Sequence, residues 1–221
     1  MSALTKYWFL EGFDLFQKLG KPTMMHMCSI LEMENLDKGQ VIKMNNRDNR
    51  SIFFLKQGSV KIIDSSNDIV KYIVRKGNIF GELSLYDKKR DAEECAIALE
   101  DCIICYIESD MMENLMEEHE TLKNAVLKIY GIRIKRLERR LRDLLYKDST
   151  TRITEFITSY IKEFGKEQES QLVAKNLLSH KDIANLTNTS RQTVSNTVSN
   201  LRKIGHIEYS TQYISIPKTV N

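Results

Sequence analysis

Two periodicities divide the chain. From about residue 29 to residue 107, apolar residues come in short runs or alternate with polar ones, the period-2 signature of β-strands. SIFFLKQGSVKIID (51–64) reads as a hairpin, with Gln57-Gly58 at its turn and β-branched or aromatic residues on both sides. IVKYIV, ECAIAL and CIICYI continue the pattern, and Gly39, Gly58, Gly77 and Gly81 punctuate it. The spacing predicts a small antiparallel barrel or sandwich.

The texture changes near Met111, and from Leu122 to Tyr146 the spacing is helical. Leu127, Ile134 and Leu141 take one heptad position, and Tyr130, Leu137 and Leu144 take the other. Arg133 and Arg140 flank that seam, with Glu138 in reach. The seam is narrow and the remaining surface, as in RIKRLERRLRD, is charged. That favours a two-stranded parallel coiled coil over a helix packed on its own barrel. Asp148 or Ser149 then offers an N-cap for a helix carrying Ile153, Phe156, Ile157, Tyr160, Ile161 and Phe164, which Gly165 ends. KEQESQ after it reads as a polar loop, and Lys147-Asp148-Ser149 as the joint between domains.

SHKDIANLTNTSRQTVSNTVSNLRKIG (179–205) carries the strongest local signals. Ser179 with Asp182 starts a short helix whose buried side is Ile183, Ala184 and Leu186; small Ala184 permits a second helix to cross closely. Asn188 tolerates the positive φ such a turn needs. Thr189 or Ser190 caps the next helix, and Thr189 with Gln192 matches a capping box. That helix has an apolar stripe of Val194, Val198 and Leu201, opposite a polar face of Arg191, Gln192, Ser195, Asn196 and Ser199. Amide, hydroxyl and guanidinium groups on one face suit base edges in a major groove. HIEYSTQYISI then alternates like a small hairpin, the wing of a winged helix-turn-helix.

Charge agrees with a polyanion partner for the second half. Residues 1–110 carry 15 basic and 17 acidic side chains, residues 111–147 carry 9 and 6, and residues 148–221 carry 9 and 7. No apolar run is long enough for a membrane span, and MSALTKYWFLEGF lacks the features of a signal peptide, so a soluble cytoplasmic protein is expected. Cys28, Cys95, Cys102 and Cys105 are then expected to be reduced. Cys102 and Cys105 stand three apart on a strand, so their thiols diverge as core residues rather than forming a metal pair. His26, His119, His180 and His206 show no ligand spacing, and His119 is a lone haem-ligand candidate. Met24, Met25, Met27, Met111, Met112 and Met116 read as core filler, with an apolar effector pocket as the alternative. No nucleophile elbow, phosphate loop, metal triad or paired-carboxylate motif occurs, so neither enzymatic activity nor a cofactor or metal is expected.

A strand-rich barrel, a long dimer-like helix and a winged helix-turn-helix, in that order, resemble the Crp/Fnr family of bacterial transcription regulators over essentially the whole chain. The resemblance rests most specifically on Gly77-Asn78-Ile79-Phe80-Gly81-Glu82-Leu83 and on Ser190-Arg191-Gln192-Thr193-Val194-Ser195-Asn196. It implies an α+β protein with a jelly-roll-like antiparallel β-roll (residues 1–110), a dimerisation helix (111–147) and a winged helix-turn-helix (148–221). It further implies a homodimer on a near-palindromic double-stranded DNA site, with RNA polymerase as partner. Ser190, Arg191, Gln192, Thr193, Ser195, Asn196 and Ser199 are the expected DNA contacts.

The sequence departs from the family pattern at two places. A glutamate usually stands where Gln192 does and an arginine where Asn196 does, so a different half-site is expected. In cyclic-AMP-binding members, Gly81 and Glu82 match ribose-side positions, but the Arg-Ser pair that meets the phosphate aligns with Ala92-Glu93. The Thr-Ser pair that contacts adenine aligns with Leu137-Glu138. Gly81, Glu82, Leu83, Arg90 and Leu137 are the effector-site candidates. Arg90, two residues before Ala92 and on the same side of a strand, is the alternative phosphate partner. The expected regulator has lost the usual phosphate contacts and takes an effector of unknown identity, if any. The rival readings are a cyclic-nucleotide-responsive regulator using Arg90, and a nucleotide sensor that binds no DNA.

Overall fold

Strands whose two faces both find apolar partners read as nearly continuous hydrophobic runs, and the run Ile52-Phe53-Phe54-Leu55 is the clearest in the chain. The computed structural model describes residues 19–44, 50–81 and 94–217, together with Tyr7, Leu10, Phe13 and Phe16. After helix α1 (Lys21–Ile30) come β1 (Glu32–Leu36), β2 (Val41–Lys43), β3 (Ser51–Gln57), β4 (Ser59–Asp64), β5 (Ile69–Arg75), β6 (Ile79–Gly81), β7 (Glu94–Ala98) and β8 (Cys102–Glu108). They pair antiparallel in two four-stranded sheets, β1-β8-β3-β6 and β2-β7-β4-β5. This is the expected jelly-roll-like roll.

In the first sheet, β3, β6 and β8 are buried on both sides, whereas β1 is largely exposed. Phe53, Leu55, Phe80 and Ile104 point into the roll, where they meet Val60, Ile62, Val74, Ala96 and Ala98. Ile52, Phe54, Ile79 and Ile107 point the other way, into a layer with Leu10, Phe13, Phe16, Met24, Met27, Met112 and Met116. Those four methionines are core, whereas Met25 and Met111 are exposed. Cys102 joins the roll interior and Cys105 the outer layer, so the two thiols face opposite ways as the strand period requires. Among the described residues, no three His, Cys, Asp or Glu side chains gather to hold a metal ion, and no helix is long and apolar enough to cross a membrane.

The expected 51–64 hairpin does not form. β3 and β4 belong to different sheets, and the chain turns a corner between them at Gly58. Its φ is +85°, and a Cβ there would lie 2.5 Å from Cys102 Sγ and 2.7 Å from the Asp101 carbonyl oxygen. Glycine is required because the corner passes against β8, not because it closes a tight turn. The hairpin in this region is β4–β5, closed by residues 65–68.

Helix α2 (Ser109–Glu118) stops at His119, and α3 (Glu120–Tyr146) runs on from there, so the predicted 111–147 segment is two helices. The chain resolves into two compact units, Met1–Lys135 and Arg136–Asn221, with their border inside α3. The second unit continues with α4 (Ser149–Phe164), β9 (Lys166–Gln168), β10 (Gln171–Lys175), α5 (His180–Thr187), α6 (Arg191–Lys203), β11 (Glu208–Tyr209) and β12 (Tyr213–Pro217). Asp148 caps α4 by accepting from the Thr151 amide at 2.9 Å. KEQESQ is not a loop. It forms β9 and the start of β10, folded back at Glu169 with φ 51°. The sheet order is β11-β12-β10-β9, all antiparallel.

Gly58→Ala is expected to destabilise the protein by about 2 kcal/mol more than Gly39→Ala in urea unfolding. Both lose a positive-φ glycine, at a cost of roughly 1–2 kcal/mol, but only the Gly58 site also lacks room for the methyl group.

Candidate nucleic-acid interface and roll interior

Helix α5 opens with a reciprocal cap. The Asp182 amide donates to Ser179 Oγ at 3.1 Å, and the Ser179 amide donates to Asp182 Oδ2 at 2.9 Å. Asp182 is buried, so this cap also removes a carboxylate's need for water. The helix ends at Asn188, with φ 50° and ψ 58°, the left-handed residue expected from its side chain. The next amide, of Thr189, returns to the Ala184 carbonyl at 2.9 Å. Ser190 then caps α6, with its Oγ accepting from the Thr193 amide at 3.0 Å. The predicted Thr189–Gln192 box is absent, because the Thr189 hydroxyl pairs with that of Thr187 at 2.9 Å. Gln192 Nε2 instead donates to Asn196 Oδ1 at 3.0 Å.

Helix α6 buries Val194, Thr197, Val198 and Leu201 and packs against α4 and α5, which bury Ile153, Ile157, Ile183 and Ala184. Arg191, Gln192, Asn196 and Ser199 are exposed, and Ser195 and Thr193 are half-buried. Four of the five predicted polar-face residues are therefore exposed, and Ser195 is partly covered. Arg202 and Lys203, also exposed in the last turn, add two cations at the negative end of the helix dipole; the motif reading had passed over them. His180, on α5, lies 5.8 Å from the Tyr209 ring of β11. Burial, then the positive Arg191, hold its pKa below the usual histidine value, which keeps it neutral at pH 7. At the wing tip, Ser210 Oγ accepts from the Tyr213 amide at 2.9 Å, and Asn176 Nδ2 donates to the Ser210 carbonyl at 2.6 Å. These bonds leave Thr211 and Gln212 exposed at the tip.

In the roll, Gly81 has φ +97° and pairs with Ile52 of β3. A Cβ on it would sit 2.2 Å from the Ser51 carbonyl oxygen. Glu82, Leu83, Arg90, Ala92 and Glu93 lie outside the described residues. Inside the roll, Phe53 and Phe80 stack at 4.9 Å with an 11° interplanar angle, and Tyr106 leans on Phe53 at 5.7 Å. The Tyr106 hydroxyl donates to Glu32 Oε2, which with burial pushes its pKa up to about 12. Tyr72 of β5 also packs against this interior. Arg133 of α3 covers its ring, 4.5 Å from the centroid, and donates through Nη2 to its hydroxyl. The arginine expected to flank a helical seam is engaged within its own unit.

Along α3, Leu127 (52%), Ile134 (56%), Leu137 (56%) and Leu141 (60%) are largely exposed. Tyr130 is half-buried against the roll's outer core layer, and Leu144 is half-buried.

Residues 33–119 match the cyclic nucleotide-binding domain model, and residues 151–219 match the Crp-like helix-turn-helix domain model. The chain belongs to the Crp/Fnr family. The global nitrogen regulator of Synechococcus elongatus is 25% identical over 177 residues, covering 78% of this chain and 80% of its own. That of Synechocystis is 24% identical over 210 residues, covering 93% and 91%. A CooA mutant from Carboxydothermus hydrogenoformans shares the fold at 21% identity, with a TM-score of 0.71 over 96% of this chain and 92% of its own. As a Crp/Fnr member the chain is a DNA-binding transcription regulator, and its relatives are regulators rather than enzymes.

Ser190→Ala is expected to lower thermal stability by about 1 kcal/mol through loss of the cap. Gln192→Ala, on the exposed face, should stay within about 0.5 kcal/mol of the unmodified protein. Differential scanning calorimetry of the two variants checks the contrast.

Proposed function

We propose that this Crp/Fnr regulator reads a near-palindromic DNA site as a homodimer, and that its roll does not take cyclic AMP in the pose usual for the family. The exposed stripe of α3 carries the first part. Leu127, Ile134 and Leu141 recur every seven residues, Leu137 lies between the last two, and each is more than half exposed, a row of the kind that pairs with a copy of itself. Burying such a row gains roughly 25 cal/mol per Å² of apolar surface, and a two-fold axis lets each copy serve the other. A two-fold dimer presents two recognition helices, which suits half-sites about 34 Å apart or a multiple of that.

On each recognition helix, Arg191, Gln192, Asn196 and Ser199 are the proposed base-edge group, with Ser190, Thr193 and Ser195 beside them. Glutamine prefers adenine, and the family's arginine contact to guanine is missing at Asn196, so the half-site departs from the usual consensus. RNA polymerase is the protein partner by the same analogy.

The effector reading rests on chemistry at aligned positions. An alanine and a carboxylate stand in the sequence where the phosphate is usually met by Arg-Ser, and Leu137 stands where a hydroxyl meets adenine. A buried phosphate there would be unneutralised and repelled. The Arg133 guanidinium stacks on Tyr72.

Selection of bound duplexes from a random pool should return a two-fold site whose half-sites differ from the family consensus. Ile134→Glu with Leu141→Glu should turn the dimer into a monomer by analytical ultracentrifugation and weaken binding to that site at least about tenfold. A dimer that survives both charges removes the α3 seam from the account. Isothermal titration with cyclic AMP should show no heat of binding. Binding that Arg90→Ala abolishes would establish the shifted phosphate loop instead.

A further inference from the structure

The last carbonyls of a helix have no partners within it, and their bonds must come from elsewhere. At the end of α5 the Thr189 amide takes the Ala184 carbonyl, and two arginines on other helices reach three further carbonyls. The Asn185 carbonyl accepts from Arg140 Nη2 at 3.1 Å. The Thr187 and Asn188 carbonyls accept from Arg152 Nε and Nη2, at 3.0 and 3.2 Å. The remaining arm of Arg152, Nη1, donates to the Lys147 carbonyl at 2.6 Å, one residue past the end of α3. Arg140 belongs to α3 and Arg152 to α4, and both are half-buried.

The end of α3 is itself tied down. Arg136 pairs with Glu163 at 3.4 Å, and Lys147 pairs with Asp143 at 2.8 Å and Glu155 at 2.5 Å. The three carbonyls held by the arginines lie at and just before the left-handed Asn188, the residue that sets the angle between α5 and α6. A planar guanidinium reaches several carbonyls at fixed spacing, which a single ammonium cannot do.

We infer that Arg140 and Arg152 are positioning residues for DNA reading: they fix the α5–α6 turn, and so the aim of α6, to the C-terminal end of the long helix. The inference rests on the DNA-binding reading above. Neither residue needs to touch DNA, and that separates this role from a phosphate contact.

The test uses the full-length protein and the duplex recovered by selection. Arg140→Ala and Arg152→Lys are expected to weaken binding by about tenfold each, the size of losing a charge-assisted hydrogen bond. The slope of log Kobs against log salt should match that of the unmodified protein, because no phosphate contact is lost. In the DNA-free variants, amide exchange at Asn188 and Thr189 should accelerate, with the thermal transition retained. A salt slope shallower by about one would assign the arginine to a phosphate and overturn the inference. Unchanged affinity, or unchanged exchange, overturns it as well; Arg140→Ala decides the case if Arg152→Lys melts the fold. If the unmodified protein binds no duplex, the DNA reading falls, and the exchange rates still report whether the arginines hold the turn.

Discussion

Helix α3 must satisfy several sets of neighbours along one cylinder, and its 3.6-residue period decides which residue serves which. Leu122 and Val126 are sealed into the roll's outer core layer. Arg133 clasps Tyr72, whereas Arg136 and Arg140 bond to α4 and α5. Leu127, Ile134, Leu137 and Leu141 face water, as do Ile132, Leu145 and Tyr146.

The roll meets a different constraint. In its first sheet β3 and β8 are buried on both faces, so they carry large apolar side chains at almost every position and leave little room for polar groups. The roll interior contains stacked Phe53 and Phe80, with the Tyr106 ring against Phe53 and its hydroxyl bonded to Glu32 at the exposed edge. These aromatic and aliphatic side chains make the described part of the roll interior largely apolar.

What could be read from the sequence was whatever is encoded locally. Ser179 with Asp182, Asn188, and the stripe of α6 each act within a few residues, and each was readable before the fold was seen. The divergence of Cys102 and Cys105 followed from the strand period alone. The Gln57-Gly58 corner was misread because a hairpin turn and a switch between sheets share the same local residues; only the pairing of β3 with β8, and of β4 with β7, separates them. The β9–β10 hairpin hid because its turn uses Glu169 at positive φ, a position that usually advertises itself with glycine or asparagine. Arg140 and Arg152 were invisible as partners of α5, because they bond main-chain carbonyls 45, 35 and 36 residues away, which carry no side-chain signature.

Gly81 separates ancestry from ligand. Its lack of a side chain is demanded by the Ser51 carbonyl of the adjoining strand, a purely internal neighbour. In this roll that glycine is accounted for by the pairing of β6 with β3, with no ligand needed to explain it. A glycine-led signature of this kind therefore reports a strand pairing before it reports a signal molecule.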